Sequence, residues 1–192
     1  MVWQSQWVSQ MTDARLEKTY AMLSPSRKEH IDRFRKPADR ARSLTGEWLL
    51  RQMLAQHYRM LNPVILRQDN GQPVLENSPL HISIAHSEDL VVCAVSETPV
   101  GIDTEKMVPF RWALAEKICT SVEKAYLGTA SRGEDLCQDP DTIRRFFEIW
   151  TGKEAWFKMQ GTGLQNLQSV NVPDLQGQLF CREDYLIQII QG

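Results

Sequence analysis

The strongest constraint on the fold is an order of elements that occurs twice: a long segment of helical period, then several short runs of strand character. The first segment spans about Ala38 to Arg59, where Ala41, Leu44, Trp48, Leu49, Met53 and Leu54 recur near helical spacing and Pro63 lies beyond the end. The second spans Asp141 to Met159 and is stopped by Gly161 and Gly163. Laid on each other without gaps, the segments beginning Thr45-Gly46-Glu47 and Thr151-Gly152-Lys153 share only the threonine, the glycine and a closing methionine, Met53 and Met159. The repeated order nevertheless predicts an α/β (α+β) architecture of two similar α/β subdomains related by a pseudo-twofold axis, with a cleft between them. The expected boundary is Pro99, giving an N-terminal half 1–99 and a C-terminal half 100–192.

The shorter elements fit this frame. Ser24 can cap a basic helix running to Lys36, with Pro25 at its first position. A strand is expected over Val64 to Gln68, then a tight turn at Asp69-Asn70-Gly71-Gln72-Pro73, where the Asn-Gly step favours reversal. Leu80 to Ile84 alternates apolar and polar residues, and Leu90 to Val95 is an apolar run of strand length, so the two read as neighbours. A strand over Val100 to Glu105 leads into helices near Trp112 to Ile118 and Ser121 to Leu127. Gly128 to Pro140 reads as a mobile loop. Ser169 to Val172, Leu179 to Arg182 and Tyr185 to Ile190 read as three strands.

Composition narrows the function by exclusion. The 192 residues are 42% hydrophobic and 24% charged, which is ordinary for a globular protein able to bury a core. A formal net charge of −2 gives no general attraction to nucleic acid or anionic membranes. The four cysteines, Cys93, Cys119, Cys137 and Cys181, have no spacing of a zinc site, redox pair or disulfide framework and read as bland thiols. Residues 1–7 lack the basic and apolar regions of a leader, and no apolar run approaches the roughly 20 residues that span a bilayer, so a cytoplasmic location is expected.

Three constellations could carry chemistry. On a strand, Asp103 and Glu105 point to one face with Cα atoms roughly 6 to 7 Å apart, while Ile102 and Thr104 face the other way. Two half-buried carboxylates side by side call for a cation between them; a solvated edge with Lys106 neutralising one acid is the alternative. In Trp150-Thr151-Gly152-Lys153-Glu154-Ala155-Trp156-Phe157-Lys158, helical geometry aligns Trp150, Glu154 and Lys158 on one face. Glu154 and Lys158 alone could be a surface ion pair, but three aromatics in eight residues argue for a buried helix. Finally, Arg27, Lys28, His30, Arg33, Arg35, Lys36, Arg40 and Arg42 could hold phosphates or form a plain basic face, and His86 could donate to a phosphate from a strand end.

In this order the pieces resemble the 4′-phosphopantetheinyl transferases, specifically the monomeric Sfp type. Val100-Gly101-Ile102-Asp103-Thr104-Glu105 matches the family pattern V/I-G-V/I-D-I/V-E, and Trp150 to Lys158 matches WxxKE-A/S-xxK. Gly161-Thr162-Gly163-Leu164, Gly71-Gln72-Pro73 and Ile84-Ala85-His86-Ser87 add support. The similarity covers about Ser24 to Leu164. The departures are Gln72 for the usual lysine, Ala85 for a serine, Thr104 for an apolar residue, and His30 where many relatives have lysine.

The resemblance implies a Mg²⁺ ion, with Mn²⁺ as an alternative, held by Asp103, Glu105 and Glu154, with Lys158 reaching the pyrophosphate of coenzyme A and Lys153 facing another part of the cleft. It also implies that Arg27, His30, Arg42 and Ser43 lie near the 3′-phosphoadenosine end, that Gly71, Gln72 and Pro73 line the adenine, and that His86 meets a phosphate. The implied reaction is attack by a serine of an apo acyl or peptidyl carrier protein on the β-phosphorus of coenzyme A, releasing 3′,5′-ADP, with Glu154 or a metal-bound water taking the proton. Carriers would dock near Ile118 to Leu127. A Mg²⁺-dependent phosphohydrolase and a non-catalytic coenzyme A or carrier-binding module are the competing readings. Neither nucleic acid nor membrane is an expected partner, and the chain is expected to act as a monomer.

Overall fold

The computed structural model describes residues 1–68, 70–128 and 135–192. Asp69 of the expected turn and much of the expected loop over Gly128 to Pro140 lie outside the described residues. Two three-stranded antiparallel sheets form the centre. The first has the order β1 (Val2–Trp7), β5 (Leu90–Ser96), β4 (His81–Ser87); the second has the order β6 (Val100–Lys106), β10 (Tyr185–Gln191), β9 (Gly177–Arg182). Two small ribbons complete the strands, β2 (Ile65–Arg67) with β3 (Pro73–Leu75), and β7 (Phe110–Arg111) with β8 (Leu136–Cys137).

Helices cover the outer faces. The first three are α1 (Asp13–Ala21), α2 (Pro25–Asp32) and α3 (Pro37–Tyr58); α4 (Trp112–Ile118), α5 (Ser121–Leu127) and α6 (Pro140–Gln160) follow β6. Their starts are read directly from the residues: Thr12, Ser24 and Asp139 accept from the backbone N–H groups of Arg15, Arg27 and Thr142, and Pro25, Pro37 and Pro140 sit in first turns where a missing N–H costs nothing. Arg59 and Gly161 end α3 and α6 in the left-handed region, at φ 54° and 68°.

The apolar run of β5 is buried throughout because both its faces are covered. Val91, Cys93 and Val95 pack with Leu49, Leu50, Met53 and Leu54 of α3. Leu90, Val92 and Ala94 pack with Val100, Ile102, Ile187 and Ile189, so the two sheets share a core. On the far side of the second sheet, Leu186 joins Phe146, Phe147 and Ile149 of α6. The layers therefore run α3, first sheet, second sheet, α6.

Where β4 meets β6 there is no backbone ladder. Instead the Ile102 amide donates to Ser83 Oγ at 3.1 Å and the Lys106 amide to Ser87 Oγ at 3.2 Å. The constant offset of 19 residues means that the strands run in the same direction.

Several elements differ from expectation. β1 pairs along β5 from Val2↔Val95 to Trp7↔Leu90, a strand outside those expected. The strand expected over Ser169 to Val172 is absent: 3₁₀ turns occupy Leu167–Ser169 and Val172–Asp174, because Val170 alone is buried there and Pro173 removes a donor. No disulfide joins the four cysteines; Cys93, Cys119 and Cys137 are buried. Among the described residues no helix is long and apolar enough to cross a membrane.

Candidate active site

Strand alternation sends Ile102 into the inter-sheet core and turns Gly101, Asp103 and Glu105 toward α6. On α6, helical spacing stacks Trp150, Glu154 and Lys158 above them. Lys158 Nζ lies 2.6 Å from Asp103 Oδ1, and Trp150 Nε1 donates to Glu105 Oε1 at 3.3 Å. The two constellations read from the sequence thus meet across one strand–helix contact. Asp103 is buried and its Oδ2 has no hydrogen-bond partner, whereas Glu105 and Glu154 are half-buried.

The electrostatics follow from that crowding. Burial raises the pKa of Asp103 to about 7, with Lys158 opposing the shift and Glu154 and Glu105 adding to it. Burial also raises Glu154, again against Lys158 and together with Glu105. Burial works to depress Lys158, but the charges of Asp103, Glu154 and Glu105 outweigh it and leave its pKa above the ordinary value. Three carboxylates and one ammonium therefore share the site. Among the described residues, no three histidine, cysteine or carboxylate groups are arranged to hold a metal ion as they stand. The orphaned buried oxygen of Asp103 and the excess of acid over base nevertheless fit a hard divalent cation, which prefers oxygen ligands.

A cavity of about 330 Å³ opens beside this site, lined by Glu154, Phe157 and Lys158 from α6 and by Arg67, Asn70 to Pro73, Ser83 and Ile84 from the first half. Arg67, Gly71 and Ile84 are shared with a second cavity of about 710 Å³, whose wall includes Arg27, His30, Arg42, Ser43 and His86. Arg27 is braced by Glu47 at 2.8 Å and Ser43 at 2.7 Å, and Arg67 reaches the same Glu47 oxygen at 3.4 Å. Arg42 pairs with Asp39 and donates to the Glu88 carbonyl at 3.2 Å. Desolvation and the nearby charges of Arg42 and Lys158 hold the His86 pKa below its usual value. Desolvation, followed by Arg27, Arg67 and Arg33, does the same to His30.

Two residues behave differently from their expected roles. Lys153 does not reach either cavity: it is fully buried on the opposite side of α6, where it pairs with Glu123 at 2.7 Å and donates to the carbonyls of Leu167 and Val170 at 2.6 Å each. A buried ammonium must satisfy its three protons, and this pocket does so completely. Gln72 lines the smaller cavity but spends its amide on the Lys158 carbonyl at 3.1 Å, while Asn70 Nδ2 donates to the Gly161 carbonyl at 2.7 Å. Sequence reasoning missed Glu47 and Arg67. An acid between Gly46 and Trp48, amid the apolar positions of α3, was the available signal for Glu47; Arg67 gave none.

Comparison with known proteins points to one family. The 4'-phosphopantetheinyl transferase superfamily profile matches residues 99–189, and the profile of the N-terminal part of 4'-phosphopantetheinyl transferases matches residues 5–98. The 4'-phosphopantetheinyl transferase psf-1 of Bacillus pumilus is 32% identical over 154 residues, covering 78% of this chain and 62% of that protein. The 4'-phosphopantetheinyl transferase Sfp of Bacillus subtilis is 30% identical over 152 residues, 77% of this chain and 64% of that protein. The corresponding gsp protein of Aneurinibacillus migulanus is 33% identical over 144 residues, 74% of this chain and 57% of that protein. The chain belongs to the 4′-phosphopantetheinyl transferase superfamily, with Sfp-like relatives. The matches span about three fifths of the length of these relatives.

Proposed function

We propose that this chain transfers the 4′-phosphopantetheine arm of coenzyme A to a serine hydroxyl of an apo acyl or peptidyl carrier protein, releasing 3′,5′-ADP. The observation that carries the reading is that two cavities share Arg67, Gly71 and Ile84 in their walls, so that a basic pocket suited to a nucleotide adjoins a buried carboxylate and a lysine on facing elements. Residues 1–99 supply the nucleotide side and residues 100–192 the acidic side, each half a three-stranded sheet with one long helix, and the site lies where they meet.

Arg42 and His86 bind phosphate oxygens, His86 as a neutral donor at neutral pH because its pKa is lowered. Arg27, braced by Glu47 and Ser43 as Arg42 is by Asp39 and the Glu88 carbonyl, lines the wall of the same pocket. Lys158 holds the pyrophosphate against the carboxylates. Asp103, Glu105 and Glu154 would hold Mg²⁺, or Mn²⁺ in its place, which would supply charge neutralisation to the pyrophosphate. Glu154, whose pKa burial raises above the ordinary carboxylate value, accepts the proton of the attacking serine. An apolar groove of about 580 Å³ runs beside Glu105 and Trp150, with Arg111 and Lys117 among its lining residues, which suits an acidic carrier helix approaching the site. The chain acts as a single copy in the cytoplasm.

Mass spectrometry tests the reaction. Incubation with coenzyme A, Mg²⁺ and an apo carrier should add a phosphopantetheine mass to the carrier, and Asp103→Ala or Glu154→Ala should abolish the addition. Release of 3′,5′-ADP without a carrier would instead identify a hydrolase.

A further inference from the structure

We propose that Ser87 is a positioning residue for the divalent-cation site, aiming Glu105 from the opposite half of the chain. This rests on the proposed role of Glu105 as a cation ligand.

Ser87 ends β4, and strand alternation gives it and its neighbour opposite duties. His86 lines the basic cavity, while the Ser87 hydroxyl reaches β6. A serine hydroxyl has one proton and two lone pairs. The Lys106 amide, 3.2 Å away, occupies a lone pair, and the proton is directed at Glu105 Oε2 at 2.6 Å. Trp150 Nε1 donates to the other oxygen at 3.3 Å. Both oxygens of Glu105 are therefore fixed by neutral donors from two different elements, and its charge is left for a cation to balance. Each oxygen keeps a lone pair for that purpose. The short contact also has the length of a charge-assisted bond to an ionised carboxylate.

Ser83 supplies an internal comparison. It makes the same hydroxyl-to-amide bridge from β4 to β6, through Ile102, and touches no carboxylate. If Ser87 merely fastened the two strands, loss of either hydroxyl would have the same effect. If Ser87 aims Glu105, its own loss should weaken cation binding more than the loss of Ser83 does.

The experiment titrates Mn²⁺ alone into the protein, by electron paramagnetic resonance or calorimetry, for the wild type, Ser87→Ala, Ser87→Thr and Ser83→Ala. Outer-shell partners of ligands change metal affinity by about 10- to 100-fold, so Ser87→Ala should bind Mn²⁺ at least about tenfold more weakly. Ser87→Thr, which keeps the hydroxyl, should return to within about threefold of wild type, and Ser83→Ala, at a position that lines the cavity without bonding Glu105, should weaken binding less than Ser87→Ala does. In the transfer assay, the Mg²⁺ concentration for half-maximal rate should rise in Ser87→Ala while the rate at saturating Mg²⁺ changes little. Unchanged Mn²⁺ affinity in Ser87→Ala, or equal weakening in both alanine variants, overturns the positioning role while the cation site stands. A wild-type protein that binds no Mn²⁺ overturns the cation site itself and the positioning role with it.

Discussion

A β-carbon built on Gly101 would lie 1.8 Å from the carbonyl oxygen of Ala155. Strand β6 thus rests directly on the backbone of α6, with Met159 N also only 2.6 Å from the same point. That approach brings Asp103 within reach of Lys158 one strand pleat further on. The backbone of α6 cannot yield as a flexible side chain would. Gly101→Ala should therefore destabilise the fold by about 3 kcal/mol or more, at the upper end for overpacking. Urea denaturation and the soluble yield report it, and an unchanged midpoint would mean that the helix can shift freely.

The Lys153–Glu123 pair carries a second expectation. Both side chains are fully buried, and Glu123 also accepts from the Thr120 and Val172 amides. Lys153→Ala leaves that carboxylate without its counter-charge, and removing one partner of a buried pair costs about 3–5 kcal/mol. A large drop in denaturation midpoint is expected, and the loss of activity should track unfolding rather than coenzyme A affinity.

Asp103 makes stability depend on pH. Its pKa is raised from an ordinary value of 3.8 to about 7, so between those values the folded chain holds a proton that the unfolded chain releases. Stability contributed by this group therefore falls as pH rises through that window and levels off above about 7. Asp103→Asn removes the titration. With chelator present, the variant's Tm should gain on the wild type between pH 5 and 8, by roughly 2–4 °C for each kcal/mol involved. Parallel Tm curves would show that the carboxyl titrates normally.

A cation that binds only the folded chain should reverse that penalty. At pH 8, Mg²⁺ at ten times its dissociation constant contributes about 1.4 kcal/mol of stability. Thermal scans should show the rise in wild type and its absence in Asp103→Asn, and EDTA should abolish it.

Much of this arrangement is legible in the sequence where period and local chemistry agree. The capping serine and proline before α2, the apolar spacing of α3 and α6, and the alternation of Gly101, Asp103 and Glu105 each depend on neighbours a few residues away. β1 was missed because Trp3, Ser5 and Trp7 alternate with Val2, Gln4 and Gln6, a pattern with no polar face. It becomes a strand through pairing with β5, far along the chain. α1 has only Leu16 and Tyr20 as core-facing apolar residues at helical spacing, and Thr12 caps it. Lys153 was misassigned because adjacent residues on a helix point about 100° apart, and nothing local reveals that Glu123 waits on the far side. The bracing of Arg27 and Arg67 by Glu47 likewise joins three elements that no short window contains.

The turn at Asn70 and Gln72 is tied to the end of α6 by two hydrogen bonds, to Gly161 and Lys158. A bond of that kind contributes about 0.5–1.5 kcal/mol net, so undoing both costs only about 1–3 kcal/mol. This rim of the smaller cavity behaves as a latch rather than a seam, undone roughly 1–20% of the time at that energy. Opening that latch requires no unfolding of either half.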